Sequence, residues 1–408
     1  MGRRRLWLGT VLAACLVGVA PAQAQPFVYV ADGGSSIAGS SGVSQFDAIG
    51  GALSPLTPAA VTCICIPGAI AVSPDGKSVY VAGGLAGGLA GTVAQFDVGS
   101  GGALIPKTPA TVASASDPTG IAVSPDGKSV YVTNFSNTPG ASTVSQFDVG
   151  PSGRLTAKSP ATVAAGNGPE GLAISPDGKT VYVTSIDDNT VSQYDVGAGG
   201  ALTPKTPATV AAGDSPFQVA VSPDGKSVYV TDRAIFGGTV SQYNVGAGGA
   251  LTPKTPATVA AGGSPCGVAV SLDGHSVYAT ICLAGPRILG SSVSQFDVGA
   301  GGRLTPKSTA TVASGTSPFG IAVGPDGKSV YVTNGADNTV SQYDIGAGGA
   351  LAPKTPAIVA AGIGPVGIAV TPLLRAPTSK RQCRHGGWRN FPQFKSRRDC
   401  LRYVKTHT

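Results

Sequence analysis

The apolar positions of this chain alternate with polar ones, and the alternation comes back again and again. GIAVSPDGKSVYVTN (Gly120–Asn134) sets two alternating runs either side of a Pro-Asp-Gly turn, the pattern of a β-hairpin. The block recurs as GLAISPDGKTVYVTS (Gly171–Ser185) and GIAVGPDGKSVYVTN (Gly320–Asn334), with degraded copies at Ala69–Ala82, Gln218–Asp232 and Gly267–Ile281. Each leads into a third alternating run of the type TVSQFDV, a Gly-rich turn, and a weaker run, LTPKTPATVA. The turn aspartates Asp75, Asp126, Asp177, Asp224, Asp273 and Asp326 are 51, 51, 47, 49 and 53 residues apart. One unit therefore holds four strands, and the array is a repeat architecture.

Proline withholds a ladder donor, so the fourth strand belongs at the outer edge of its sheet. Four antiparallel strands with that edge outside make a propeller blade. The blade number follows from two repeated side chains. The second strand carries Tyr29, Tyr80, Tyr131, Tyr182, Tyr229, Tyr278 and Tyr331; the third carries Gln45, Gln95, Gln146, Gln193, Gln242, Gln295 and Gln342. The first strand is missing before Tyr29 and stands alone at the end as GIAVT (Gly367–Thr371). The sequence thus predicts an all-β, seven-bladed propeller of four-stranded antiparallel blades, its ring closed by pairing of the N- and C-terminal strands, which removes the open edges of an uncapped array. Ala71, Ala122, Ala173, Ala220, Ala269, Ala322 and Ala369 in the first strand, flanked by branched residues, suit the crowding near the axis. The seven glutamines are expected to hydrogen-bond within or between blades.

Composition agrees: Gly 60 and Pro 32 provide many turns, and Glu170 is the single glutamate. The net charge of +7 is misleading, because it is unevenly placed. Residues 25–373 hold 15 Lys and Arg against 20 Asp and Glu, whereas residues 374–408 hold 10 against one. A mildly acidic body disfavours nucleic acid as a partner. Residues 1–24 read as an export signal: MGRRR, an apolar Leu6–Ala20, and the small-residue site Ala22-Gln23-Ala24. A lipoprotein cleavage at Cys15 is the less favoured alternative, and nothing later is long and apolar enough to span a bilayer. The expected division is 1–24 signal, 25–373 propeller, 374–408 basic C-terminal element, in a secreted or envelope protein that is a monomer.

Six cysteines remain after such cleavage, an even number suited to an oxidising compartment. A hairpin turning at Leu272-Asp273-Gly274 sets Cys266 opposite Cys282. Cys383 and Cys400 are expected to pair in the tail, which leaves the closely spaced Cys63 and Cys65. These thiols lack histidine partners for a metal, and neither metal nor cofactor is expected. The tail also sets Arg389, Lys395, Arg397 and Arg398 beside Trp388, Phe391 and Phe394, a composition able to meet an anionic polymer.

Tyr131-Val132-Thr133-Asn134 and Tyr331-Val332-Thr333-Asn334 resemble the signature of bacterial YVTN-repeat propellers. Gly200-Ala201-Leu202-Thr203-Pro204 and Gly249-Ala250-Leu251-Thr252-Pro253 resemble the lactonase-like propellers, which include 6-phosphogluconolactonases. The resemblance covers residues 27–372 and implies a hydrolase. Such lactonases tend to carry Arg-His or His-Pro-His where the chain enters the first strand. Here no His or Arg follows Pro67, Pro118, Pro169, Pro216, Pro265, Pro318 or Pro365. His275 sits in the turn at the other end of the strand and reads as a solvated residue.

Binding usually lives in loops, and the unequal loops between second and third strands lie at the proline end. Their polar and aromatic candidates, with those of the first strand, are Glu170, Asp187, Asp188, Phe217, Arg233, Arg287 and Phe319. Glu170 is the one candidate general base, with a solvated acid or a partner for Arg233 as its plainer reading. Asp187-Asp188-Asn189 reads as a polar turn more than as a calcium loop. The first functional expectation is an exported, non-catalytic binding or scaffolding module, holding a small molecule, protein or envelope polymer at the loop face. The alternative is a lactonase-type hydrolase at the channel mouth.

Overall fold

A computed structural model describes residues 26–34, 41–63, 65–84, 91–234, 237–285 and 288–373, with Arg398 and Leu401. Residues 1–24, Arg287, Cys383 and Cys400 lie outside the described residues. Gln25–Leu374 forms one compact unit. Its twenty-eight strands make seven four-stranded antiparallel sheets, and in every blade the proline-bearing strand is at the outer edge. Blade 4 is typical: Pro169–Ile174, Thr180–Ser185, Thr190–Val196 and Leu202–Ala211, in that order from axis to rim. Blade 1 is the expected composite. Pro365–Val370 pairs with Phe27–Asp32, placing Val28 opposite Val370, Tyr29 opposite Ala369 and Val30 opposite Ile368.

The repeated residues act between blades. Each second-strand tyrosine donates its hydroxyl to a glycine carbonyl of the next blade: Tyr131 to Gly200 at 2.7 Å, Tyr182 to Gly249 at 2.6 Å, and Tyr331 back to Gly51 of blade 1 at 2.9 Å. Each third-strand glutamine is spent twice. Gln146 donates Nε2 to Pro160 O in its own blade and accepts from Leu202 N of the next, and Gln342 closes the circle by accepting from Leu53 N. These amides are structural, as expected of buried polar groups. Between the blades lie apolar layers such as Tyr131, Val144, Leu172, Val181, Val183, Tyr194 and Leu202.

The last residue of the YVTN signature holds the start of the third strand. Asn134 donates Nδ2 to Thr143 Oγ1 and Ser145 Oγ, and Asn334 does the same to Thr339 and Ser341. Asp32 and Asp232 occupy the same place. There the hydroxyls turn round: Thr239 and Ser241 donate to Asp232 Oδ2 at 2.7 and 2.8 Å, and Ser44 donates to Asp32 Oδ2. The other oxygen of each aspartate is buried without a partner. Burial pushes both carboxyls up to about 6, against those hydrogen bonds. The folded chain thus holds these protons more tightly than the unfolded chain. Stability from them is full below about pH 4 and is lost as pH rises towards 6. The double variant Asp32→Asn/Asp232→Asn, which copies the sibling blades, should gain on the order of 1–3 kcal/mol per site at pH 8 and little at pH 4. Thermal melts at the two pH values check this; an equal gain at both, or none, removes the argument.

Candidate functional site

The inner strands of consecutive blades pack side by side around the axis and enclose a cavity of about 140 Å3. Larger grooves of about 650, 680 and 950 Å3 lie between blades at the opposite rim. Those grooves repeat the same Pro-Asp, Lys and Gly lining from interface to interface, so they are products of the repeat. The axial cavity is different, because part of its lining varies from blade to blade.

Within the inner strands the variation falls in two rings. After the proline of each inner strand comes a mouth position, occupied in turn by Gly68, Thr119, Glu170, Phe217, Cys266, Phe319 and Val366. One step deeper stand Ala69, Gly120, Gly171, Gln218, Gly267, Gly320 and Gly367. The deeper ring is nearly all glycine for a steric reason: a Cβ on Gly120 would lie 2.4 Å from Glu170 O, and one on Gly267 2.3 Å from Phe319 O. The threonine of YVTN accounts for this approach. Thr133, Thr184, Thr231, Thr280 and Thr333 donate to the carbonyls of Glu170, Phe217, Cys266, Phe319 and Val366 at 2.7–3.0 Å. The scaffold thereby grips the backbone of five mouth residues and leaves their side chains free to differ.

Those side chains converge on one sector. Phe217 and Phe319 meet edge to face with centroids 5.3 Å apart, and Arg233 Cζ lies 4.3 Å from the Phe217 centroid. Phe217 is buried with the Cys266–Cys282 disulfide, and Ile186, Leu283 and Phe319 pack against them. Phe319 belongs to this cluster and also to the cavity wall. Glu170 is partly buried beside the same sector. Burial raises its carboxyl to about 7, Arg233 opposes the rise, and Asp117 and Asp187 add to it. Burial likewise lowers the pKa of Arg233, while Glu170 acts to raise it.

Glu170 is partly buried, and the charge of Arg233 acts on it without closing a salt bridge: those among the described residues are five Lys–Asp pairs of the blades. Four of the sequence candidates, Glu170, Phe217, Arg233 and Phe319, come together. Asp187 and Asp188 lie exposed on a turn, where Asp188 accepts from Asn167 N at 2.7 Å and contributes nothing further to the cluster. His275 is exposed, as read from its turn. Cys63 and Cys65 are joined to each other, Cα atoms 5.2 Å apart. Sequence reasoning missed Gln218, although its signal was present: it breaks the small-residue column of the deeper ring.

With this mouth in view, the sequence comparison decides the family. Residues 28–351 match the lactonases built as seven-bladed β-propellers. The chain belongs to that family. This lactonase-family propeller has no match among curated proteins. Among solved structures it resembles a candidate 6-phosphogluconolactonase from Bacteroides fragilis, with a TM-score of 0.67 and 22% identity over 85% of this chain and 98% of that one. It also resembles the periplasmic gluconolactonase of Pseudomonas aeruginosa, with a TM-score of 0.67 and 20% identity over 86% and 99% of the two chains. The hydrazine synthase of Kuenenia stuttgartiensis matches as well, at a TM-score of 0.56 and 22% identity over 76% and 90%. At these identities the likeness is one of fold, and the lactonase family shares it with a protein of different chemistry.

Proposed function

We propose that this lactonase-family propeller is an exported lactone hydrolase that works at the channel mouth, with Glu170 as general base and Arg233 as the charge that meets the developing oxyanion. The observation that carries this reading is Glu170 itself. It is a carboxyl tuned to about 7, set beside an arginine in a sector where the inner strands depart from the repeat. A base poised near the working pH is what water activation needs. The ionised carboxylate takes a proton from water, and the hydroxide adds to the lactone carbonyl. The ring C–O bond then breaks, and the leaving alkoxide recovers the proton from Glu170. The product is a hydroxy acid, and the carboxylate is regenerated. Family membership favours this reading over a scaffold without turnover. Export is supported by residues 1–24 and by the two disulfides of the propeller, Cys63–Cys65 and Cys266–Cys282. The division into 1–24, 25–373 and a basic element 374–408 is proposed on the same grounds.

One observation favours the other reading, binding without turnover: no histidine or arginine follows the seven mouth prolines. A pH-stat assay separates the two. The chain from Gln25 onward should release acid from lactones well above the spontaneous rate at pH 7.5. A protein that binds lactones in calorimetry and never exceeds that rate is a binding module.

A further inference from the structure

The charges of the propeller are sorted along its axis. The opposite rim carries thirteen Lys and Arg against twelve Asp, almost neutral. The mouth face carries eight acids: Glu170, the buried Asp32 and Asp232, and the exposed Asp117, Asp187, Asp188, Asp214 and Asp337. Arg233 is the only cation on that face among the described residues, and counting Arg287 with it still leaves the face strongly negative. Arg233, held over Phe217 and beside Glu170, is a single cation against those eight acids. Field lines gathered at a low-dielectric mouth repel an incoming anion before any contact is made. Within the cavity the surroundings are glycine, aliphatic side chains and Phe319, and Gln218 is the only lining residue with a polar side chain. Its Oε1 reaches to 3.0 Å from where a Cβ on Gly171 would stand, next to Glu170 in the chain. Among the described hydrogen bonds its side-chain amide has no protein partner, only its backbone being engaged, with Thr231.

Building on the hydrolase reading, we propose that the site selects uncharged lactones with an apolar flank and rejects phosphorylated ones, and that Gln218 is the residue that positions the lactone. The ring lies with its apolar side against Phe319 and its oxygens towards the free amide, which brings the carbonyl to the Glu170 sector. An anionic sugar phosphate meets eight acids and a single described cation on that face.

The test compares dihydrocoumarin, a fused aryl δ-lactone, with the 6-phosphate of glucono-δ-lactone. It uses turnover of the lactones and calorimetric binding of their hydrolysis-resistant lactams, in the wild type and in Gln218→Gly, which restores the glycine of the sibling blades. The neutral ligand should be favoured by roughly tenfold or more at low salt, with the margin shrinking near 0.5 M salt. Gln218→Gly should raise KM, and the lactam Kd, about five- to tenfold while kcat stays within about twofold. Equal or tighter binding of the phosphorylated lactam overturns the proposal. So does failure of the neutral lactam to bind, or an unchanged Kd in Gln218→Gly. If the lactams bind with the stated preference and no lactone is turned over, the hydrolase reading fails and the ligand class stands.

Discussion

Glu170→Gln will leave the ring folded and will lower kcat/KM for lactone hydrolysis by about 10²- to 10⁴-fold, the usual range for a positioned general base. The amide keeps the shape and burial of the side chain but cannot accept the proton from water. The wild-type pH profile carries the same signature. A base acts ionised, so activity should rise about tenfold per pH unit below 7 and level off above it, following the carboxyl raised to about 7. Arg233→Met should move that inflection upward, since the guanidinium is what holds the rise in check. Full activity in Glu170→Gln, or a wild-type rate constant unchanged between pH 5.5 and 8, would remove Glu170 from the reaction.

A chain ending at Gly364 should melt far below one ending at Pro372. The two differ by the inner strand of blade 1, which contributes Val366, Ile368 and Val370 to the apolar layers on both sides of that blade. A well-buried aliphatic side chain is worth about 1.5–3 kcal/mol, and these are only partly buried, so the three together offer several kcal/mol. Loss of the ladder to Phe27–Asp32 adds an open edge. Against a total stability on the order of 5–15 kcal/mol, that is enough to unfold the ring near physiological temperature. Both chains lack the basic element, so it cancels. Coincident thermal melts would mean that the ring does not depend on its closing strand.

The architecture was legible in the sequence because the same interactions are made seven times. Tyr, Gln and the proline-bearing edge each mark one strand of one blade, and counting them counts the blades. Even the closure could be read, from a first strand absent at one end and surplus at the other. The site was legible only in outline. Glu170, Phe217, Arg233 and Phe319 stood out as departures from the repeat, yet nothing in their spacing shows that they share one sector, because the ring brings together residues 170 to 319 through three inter-blade interfaces. The burial that tunes Glu170 is likewise invisible in one dimension. A fully solvated setting would have left an ordinary carboxylate. Gln218 escaped notice because a glutamine in a strand looks unremarkable unless the deeper ring is read as a column.

The backbone amide of Phe27 is bonded to the hydroxyl of Thr371, 344 residues later. A chain is made from its N-terminus, so Phe27–Asp32 emerges first and must wait for the last propeller strand before its own sheet is complete. Six blades have every strand at hand within some fifty residues of one another; blade 1 does not. The timing of folding is therefore set by blade 1. Until synthesis has passed Thr371, the nascent protein carries a strongly apolar strand with one open edge that has to be kept from finding another chain.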